Sequence, residues 1–256
     1  MSIYQWEFFN VRFNGAILHY TSETSAGVPH IVSSFGYPAI GYTSFTPGLH
    51  MSQTIAGSAA FAVGVPNTAA GLDGSGYHCG EITARTFQHT SFGINRVPQH
   101  TAPMNWGITC MQSAHQLYTG VECYSLQMDS IHFGNFFRLI KMTDGPSNSV
   151  GGSLTTTYEL LATTPSNAWA LGTEHVLKLF WLSDPYFLLG TWLVATVDGL
   201  PLFNIVHTGP TAIKSLTSGG QSFYVSGATN AGSVVWKTVS MKIYNVATVN
   251  GQSYPP

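Results

Sequence analysis

Residues Trp192 to Val206 read WLVATVDGLPLFNIV, two short apolar runs on either side of Asp198 and Gly199. Asp-Gly between two such runs is a strong local signal for a two-residue β-turn, because the central residues of that turn need a positive φ. The stretch therefore predicts a hairpin: Thr191 to Val197 climbs and Leu202 to Val206 returns. Side chains alternate across a strand, so Leu193, Ala195 and Val197 share one face, with Trp192, Val194 and Thr196 on the other. Neither face is clearly polar. The second apolar face is thus a candidate contact with another layer or another chain, and Asp198 is expected to form the turn, not to act as ligand or catalyst.

The same texture extends in both directions. Upstream, HVLKLFWL (His175 to Leu182) leads into the hairpin, and FFRLIKM (Phe136 to Met142) runs through TDGPSNSVGG to a predicted antiparallel partner, TTTYELLAT (Thr155 to Thr163). Downstream, Val239, Met241 and Ile243 alternate with Ser240, Lys242 and Tyr244, the pattern of a strand with one buried face. QSFYVSG and NAGSVVW read as a strand, a Gly-rich turn and the beginning of the next strand. In the N-terminal half GAILHYTS, IVSSFGYPAIGYTS, FAVGVP, GEITARTFQHTSF, WGITCMQ and VECYSLQM are further strands spaced by Gly, Pro and Asn. No sustained helical spacing with caps, no linker composition and no repeat period is present. One all-β sandwich with long loops and little helix is the expected fold.

Composition narrows the partners. Only 8% of the 256 residues are charged, against roughly 25% in an average globular protein, so Ser, Thr, Asn, Gln and Gly must cover much of the surface. Such a surface suits burial in an assembly. A formal net charge of -2 supplies no electrostatic footprint for a nucleic-acid backbone or an anionic membrane. The N-terminus lacks the basic and long apolar regions of a secretory signal, and no run approaches the ~20 apolar residues of a membrane helix. The product is expected to be made in a cytoplasm and to leave it within a particle or on lysis. Cys79, Cys110 and Cys123 show no CxxC spacing and are expected as buried free thiols.

Taken in order, several of these segments resemble the concanavalin A-like jelly roll, in particular the laminin G-like modules of phage virion structural proteins. IVSSFGYPAIGYTS is similar to that family's early FGG-x-A strand, and GSAAFAVGV to its next long strand. NAWALGTEHVLKLFWL matches the pattern of Trp, a Gly-Thr turn and a His leading a strand, while VATVDGLPLF resembles the V-DG-x-x-L hairpin. SGGQSFYVSG with SVVWKTVSMKIYNV resembles the last two strands. The resemblance implies a two-sheet antiparallel jelly-roll sandwich over 29–256, preceded by an N-terminal segment, 1–28, that is either an edge strand or an arm. In that segment WEFFNV stands where the family often opens with an acidic strand.

The fold serves lectins, glucanases, adhesion modules and inert structural units, so the residues must decide. Glycosidases need two carboxylates a few ångströms apart; here Glu81, Glu122, Glu159, Glu174 and Asp184 are singletons, expected on solvated strand faces or in turns. Calcium would need grouped carboxylates, and Asp144, Asp184 and Asp198 stand alone. His78, His89, His100 and His115 show no HxH or HExxH spacing. No G-x-S-x-G turn is present, and His78 and Cys79 point to opposite faces of a strand. No catalytic, metal or cofactor residue is therefore assigned.

Aromatic side chains remain, as core, as interface or as a platform for sugars. Trp6, Phe8, Phe9, Trp106, Trp192, Val194 and Trp236 are the candidate contacts for a partner or glycan. The expected function is a non-enzymatic structural protein of a tailed-phage virion, assembled in the host cytoplasm. It would decorate or cement the capsid, or form part of the tail, through apolar contacts with a major capsid or tail protein and with copies of itself. The alternative is a module that recognises a host surface glycan.

Overall fold

A computed structural model of the chain describes residues 3–6, 9–21, 30–35, 41–43, 49–53, 60–65, 78–88, 104–112, 122–130, 135–143, 158–166, 168–170, 172–184, 187, 190–214, 222–227, 232–249 and 252–253. Up to residue 77 these are backbone descriptions only.

Two antiparallel sheets carry the fold, and no α-helix occurs among the described residues. The larger sheet runs, in spatial order, through β1 (Ile3–Trp6), β2 (Phe9–Thr21), β16 (Gly232–Val249), β7 (Cys79–Gln88), β12 (His175–Leu182), β13 (Gly190–Val197) and β14 (Leu200–Thr208). Three short strands extend it: β17 (Gln252–Ser253) and β5 (Leu49–Gln53) pair with β16, and β4 (Gly41–Thr43) pairs with β5. The smaller sheet runs through β11 (Tyr158–Thr163), β10 (Phe136–Met142), β9 (Cys123–Asp129), β8 (Met104–Cys110), β15 (Ser222–Gly227), β6 (Ala60–Val65) and β3 (His30–Phe35).

Strand alternation builds the core between them. From the larger sheet Ile82, Ala84, Leu177, Leu179, Trp181, Leu193, Ala195 and Val197 join one buried cluster with Trp106, Ile108, Tyr124, Leu126, Met128, Phe137, Leu139 and Phe223 of the smaller sheet. Trp106 anchors it, edge-on to Phe137 at 6.1 Å and to Trp236 at 6.0 Å between ring centroids. Its indole N–H donates to Gln88 Oε1 at 2.8 Å. Gly80 leaves room for Trp181: a Cβ there would lie 2.5 Å from that indole and 2.6 Å from the Lys242 carbonyl.

The Trp192–Val206 stretch is the expected hairpin. Asp198 and Gly199 take φ of 54° and 78° between Val197 and Leu200. Its return strand is longer than expected, Leu200–Thr208, with a register shift opposite Ala195 and Thr196 that accommodates Pro201. Among the described strands β14 ends the sheet, the position in which a strand proline is tolerated. At the C-terminus SVVWKTVSMKIYNV forms the expected single strand, extended at both ends into the 18-residue β16. It bends by register shifts and serves β2, β5, β7 and β17 along its length. From the segment 1–28, β1 and β2 form a hairpin at the end of the larger sheet, joined to it through β2 and β16.

Candidate ligand-binding face

The face of the larger sheet turned away from the core carries the candidate site, and strand register dictates its layout. One row places Lys242, Glu81, Phe180, Val194 and Asn204 side by side on β16, β7, β12, β13 and β14. The next places Ser240, Thr83, Lys178 and Thr196. A third sets Arg85 beside Val176. Residues far apart in the chain thus form a grid because antiparallel neighbours lie about 4.5–5.5 Å apart at Cβ.

One end of this face is closed. Phe180, Leu182, Trp192, Val194, Tyr244, Val249 and Cys79 form a second buried cluster, with Phe187 packed into it. Trp192 stacks edge-on against Phe180, with centroids 5.5 Å apart, and its N–H donates to Asn204 Oδ1 at 2.6 Å. The other end is open. Val176, Lys178 and Phe180 of β12, Thr83 of β7 and Val194 and Thr196 of β13 line a pocket of about 310 Å³ that ends at Gly199. That volume is at the low end of the range for small-ligand sites.

Charge is concentrated here. Glu81, with only 5% of its side chain exposed, takes Lys178 on Oε2 at 3.1 Å and Lys242 on Oε1 at 3.5 Å. Both ammonium groups sit on more accessible side chains, 33% and 41% exposed. Further along, Glu174 binds Arg85 Nε at 2.6 Å and also accepts from Lys237. Glu81 was expected on a solvated strand face. It is instead buried, which is tolerable because two cations hold its carboxylate.

The outer face of the smaller sheet is closed, and polar. Arg138 donates through Nε to Gln127 Oε1 at 2.6 Å and through Nη1 to Asp129 Oδ2 and Tyr158 Oη, both at 3.0 Å. Gln127 Nε2 in turn donates to Tyr224 Oη at 2.6 Å, and Ser125 shares a bond with the same phenol at 2.9 Å. Asp129, Ser125 and Tyr224 are fully buried. Burial raises the Tyr224 phenol well above its ordinary range, against the lowering effect of its Ser125 bond. Among the described residues these groups bond one another, so the network rigidifies the sheet.

A third cluster ties the two sheets at their β11 and β14 edges. His207 Nδ1 lies 2.9 Å from Tyr124 Oη and its Nε2 lies 3.3 Å from Glu159 Oε1, while Ile213 N–H donates to the same phenol at 2.9 Å. Tyr124 is also held neutral by burial.

The expected contact residues fall differently. Trp106 and Trp236 are core, and Trp192 is sealed inside the second cluster; all three are completely buried, so none offers a ring face to a sugar or a partner. Val194, at 2% exposure, touches the pocket from below. Of the hairpin's second face, Trp192 packs in the second cluster of its own chain, while Val194 and Thr196 border the open pocket. Trp6 lies in β1 and Phe9 in β2, their side chains outside the described residues, as is Phe8 altogether. Outside them too lie Asp144, His89, His100 and His115. The three cysteines are free and buried, and burial is the main reason each thiol is raised above its ordinary value. No cluster of three or more His, Cys, Asp or Glu occurs among the described residues.

Lys178 is not singled out by the sequence, and Glu81 only as an isolated carboxylate. The signal was there in part, since Val176, Lys178 and Phe180 alternate outward in HVLKLFWL. What connects Lys178 to Glu81 and Lys242 is sheet register, which no single strand encodes.

No family model and no curated protein matches the chain. Among solved structures, the CBM2 module of the evolved Dit of Lactobacillus casei BL23 phage J-1 is similar at 12% identity and TM-score 0.52, over 90% of this chain and 96% of that one. A Bacillus subtilis protein of unknown function with a galectin-like fold is similar at 14% identity and TM-score 0.51, over 92% and 99%. The fold is a concanavalin A-like sandwich. In this sandwich the pocket sits on the outer face of the ten-stranded sheet, framed by β7, β12 and β13. Alginate lyase vAL-1 from Chlorella virus is similar at 9% identity and TM-score 0.49, over 84% of this chain and 93% of that one.

Proposed function

We propose that the protein is a non-enzymatic glycan-recognition module carried on a phage virion, with the β7–β12–β13 pocket as its site. The observation that carries this reading is the pocket's composition. Thr83 and Thr196 present hydroxyls, Lys178 a cation, and Val176 an apolar wall, on a rigid sheet. Concave, largely apolar pockets with a few fixed polar groups are how small ligands are held and oriented. The likeness to a phage CBM2 module, a carbohydrate-binding module, supports both the ligand class and the virion setting.

Binding is favoured over hydrolysis by the carboxylates. Glu81, Glu122, Asp129, Glu159, Glu174 and Asp198 each face a basic side chain within 3.5 Å. A glycosidase needs two carboxylates free to face one glycosidic bond, and these are engaged with basic partners. Attachment to neighbouring virion proteins and to further copies is supported by the exposed edges: Tyr158 and Leu160 on β11 and Leu200 at the β13–β14 turn are 41%, 52% and 59% accessible. Capsid decoration or a place in the tail would use these edges in place of the buried tryptophans.

Immobilised host-envelope polysaccharide tests the reading. The wild-type chain is retained, and Thr196→Trp, which fills the pocket from β13, is eluted with an unchanged unfolding midpoint. Absence of wild-type binding to every envelope polysaccharide tried overturns it.

A further inference from the structure

We infer that the glycan taken by this pocket carries an acidic group, and that Lys178 is the residue that binds it; the inference rests on the glycan-binding reading. Four of the nine basic residues of the chain, Arg85, Lys178, Lys237 and Lys242, gather on the outer side of one sheet, facing two carboxylates, Glu81 and Glu174. The protein as a whole has a formal charge of -2. A chain with so few charges that gathers this excess of cations on one sheet face, with Lys178 in the pocket itself, creates a local positive field against its overall sign.

The arrangement around Lys178 sharpens the point. Glu81 is buried beneath it and divides its two oxygens between Lys178 and Lys242. One carboxylate thereby positions two ammonium groups, and only Lys178 of the pair lines the pocket. Its neighbours there include Val176, Phe180 and Val194, whose apolar surface keeps the local dielectric low and strengthens attraction to an anion. The aromatic rings offer no alternative grip. Phe180 and Trp192 are completely buried, so stacking on a sugar ring is unavailable and polar contacts must supply the affinity. Thr83 and Thr196 flank Lys178 in register on either side. Their hydroxyls suit the neutral oxygens of the same sugar residue.

The shared ligand chemistry is a carboxylate or a phosphodiester on a glycan, and a binding experiment separates the two. The full chain is titrated with polygalacturonate, with the same polymer after carboxyl reduction, and with poly(ribitol phosphate). At least one acidic polymer is expected to bind tenfold or more tightly than the reduced one, and to weaken tenfold or more between 50 and 500 mM salt. Lys178→Gln is expected to abolish that preference while leaving residual binding. Lys242→Gln, which spares the pocket lining, is expected to weaken it less than threefold and guards against loss of fold as the explanation. Equal binding of neutral and acidic polymers, unaffected by salt or by Lys178→Gln, overturns the inference and leaves the glycan reading standing. Binding of none of the three, with none to neutral envelope polysaccharides, overturns both.

Discussion

The carboxylate of Asp198 grips the start of β12 with both oxygens: Oδ2 lies 2.8 Å from His175 Nδ1, and Oδ1 accepts the Val176 N–H at 2.7 Å. The Asp198 N–H donates back to the Val176 carbonyl at 2.9 Å. A turn residue thereby fastens its hairpin to the neighbouring strand, one step from the pocket wall at Val176. The imidazole is itself wedged edge-on between Phe137 and Trp169, at 6.1 and 5.5 Å, so the contact also ties the turn to the smaller sheet.

Replacement of Asp198 separates its two roles. Asp198→Ala loses the carboxylate and places a Cβ-bearing residue without a polar side chain at φ 54°, and is expected to cost about 2–4 kcal/mol. Asp198→Asn tolerates the left-handed conformation and keeps an acceptor, so a cost of about 1 kcal/mol or less is expected. Urea unfolding with an unchanged m-value is the measurement. Equal midpoints for the two variants would show that the contact to β12 contributes nothing.

Two neighbouring tryptophans differ in one hydrogen bond. Trp106 donates to Gln88, whereas the buried Trp236 Nε1 has no acceptor among the described residues. Both rings are completely buried, so Phe at either site removes similar volume. Trp106→Phe is expected to be less stable than Trp236→Phe by about 1–2 kcal/mol, the difference between losing a satisfied donor and an unsatisfied one. Chemical denaturation of the two variants in parallel gives the sign directly.

Stability should fall at alkaline pH. Burial raises the thiols of Cys79, Cys110 and Cys123 from 9.0, and the phenols of Tyr124 and Tyr224 from 10.0. These are acids whose folded form keeps the proton, so between pH 9 and their raised folded values the unfolded chain binds fewer protons than the native one. The slope of stability with pH is then negative, by about 1.4 kcal/mol per pH unit for each group fully titrated in the unfolded chain only. Thermal unfolding should show a plateau below pH 9 and a steepening decline above it. Cys123→Ala removes one such group and should flatten the decline; an unchanged slope would count against burial of that thiol as a contributor.

Strands whose pattern is local were legible in the sequence. His175 to Leu182 and Phe136 to Met142 were delimited correctly, and the Asp198-Gly199 turn carries its own chemistry. The N-terminal strands were less so: β5 passed unnoticed because LHMSQ has neither clear alternation nor β-branched residues. The tryptophans illustrate the larger gap. A strand with two apolar faces announces burial on both sides, but not whether the second cover is another chain or, as with Phe187 in the cluster around Trp192, a different part of the same one. Likewise Glu81, Lys178 and Lys242 are isolated letters until register sets β7 between β12 and β16.

The Arg138–Asp129 pair offers the sharpest test of the closed face. Asp129 is completely buried and Arg138 is 5% exposed, with one guanidinium serving Gln127, Asp129 and Tyr158 and stacking over the Tyr158 ring at 4.4 Å. Removing one member of such a pair leaves the other charge buried without its counterion, which typically costs about 3–5 kcal/mol. Arg138→Met is expected to fall in that range. Arg138→Lys should also be poorly tolerated, because an ammonium lacks the planar fork that reaches a carboxylate and an amide together. Asp129→Asn removes the charge but keeps the shape. In the double variant the two losses should be far from additive, recovering about 2 kcal/mol or more relative to their sum, since a neutral pair no longer strands a charge. A double-mutant cycle by urea denaturation measures this coupling. Additive losses would mean that other groups, not Arg138, compensate Asp129, and the network would have to be redrawn around them.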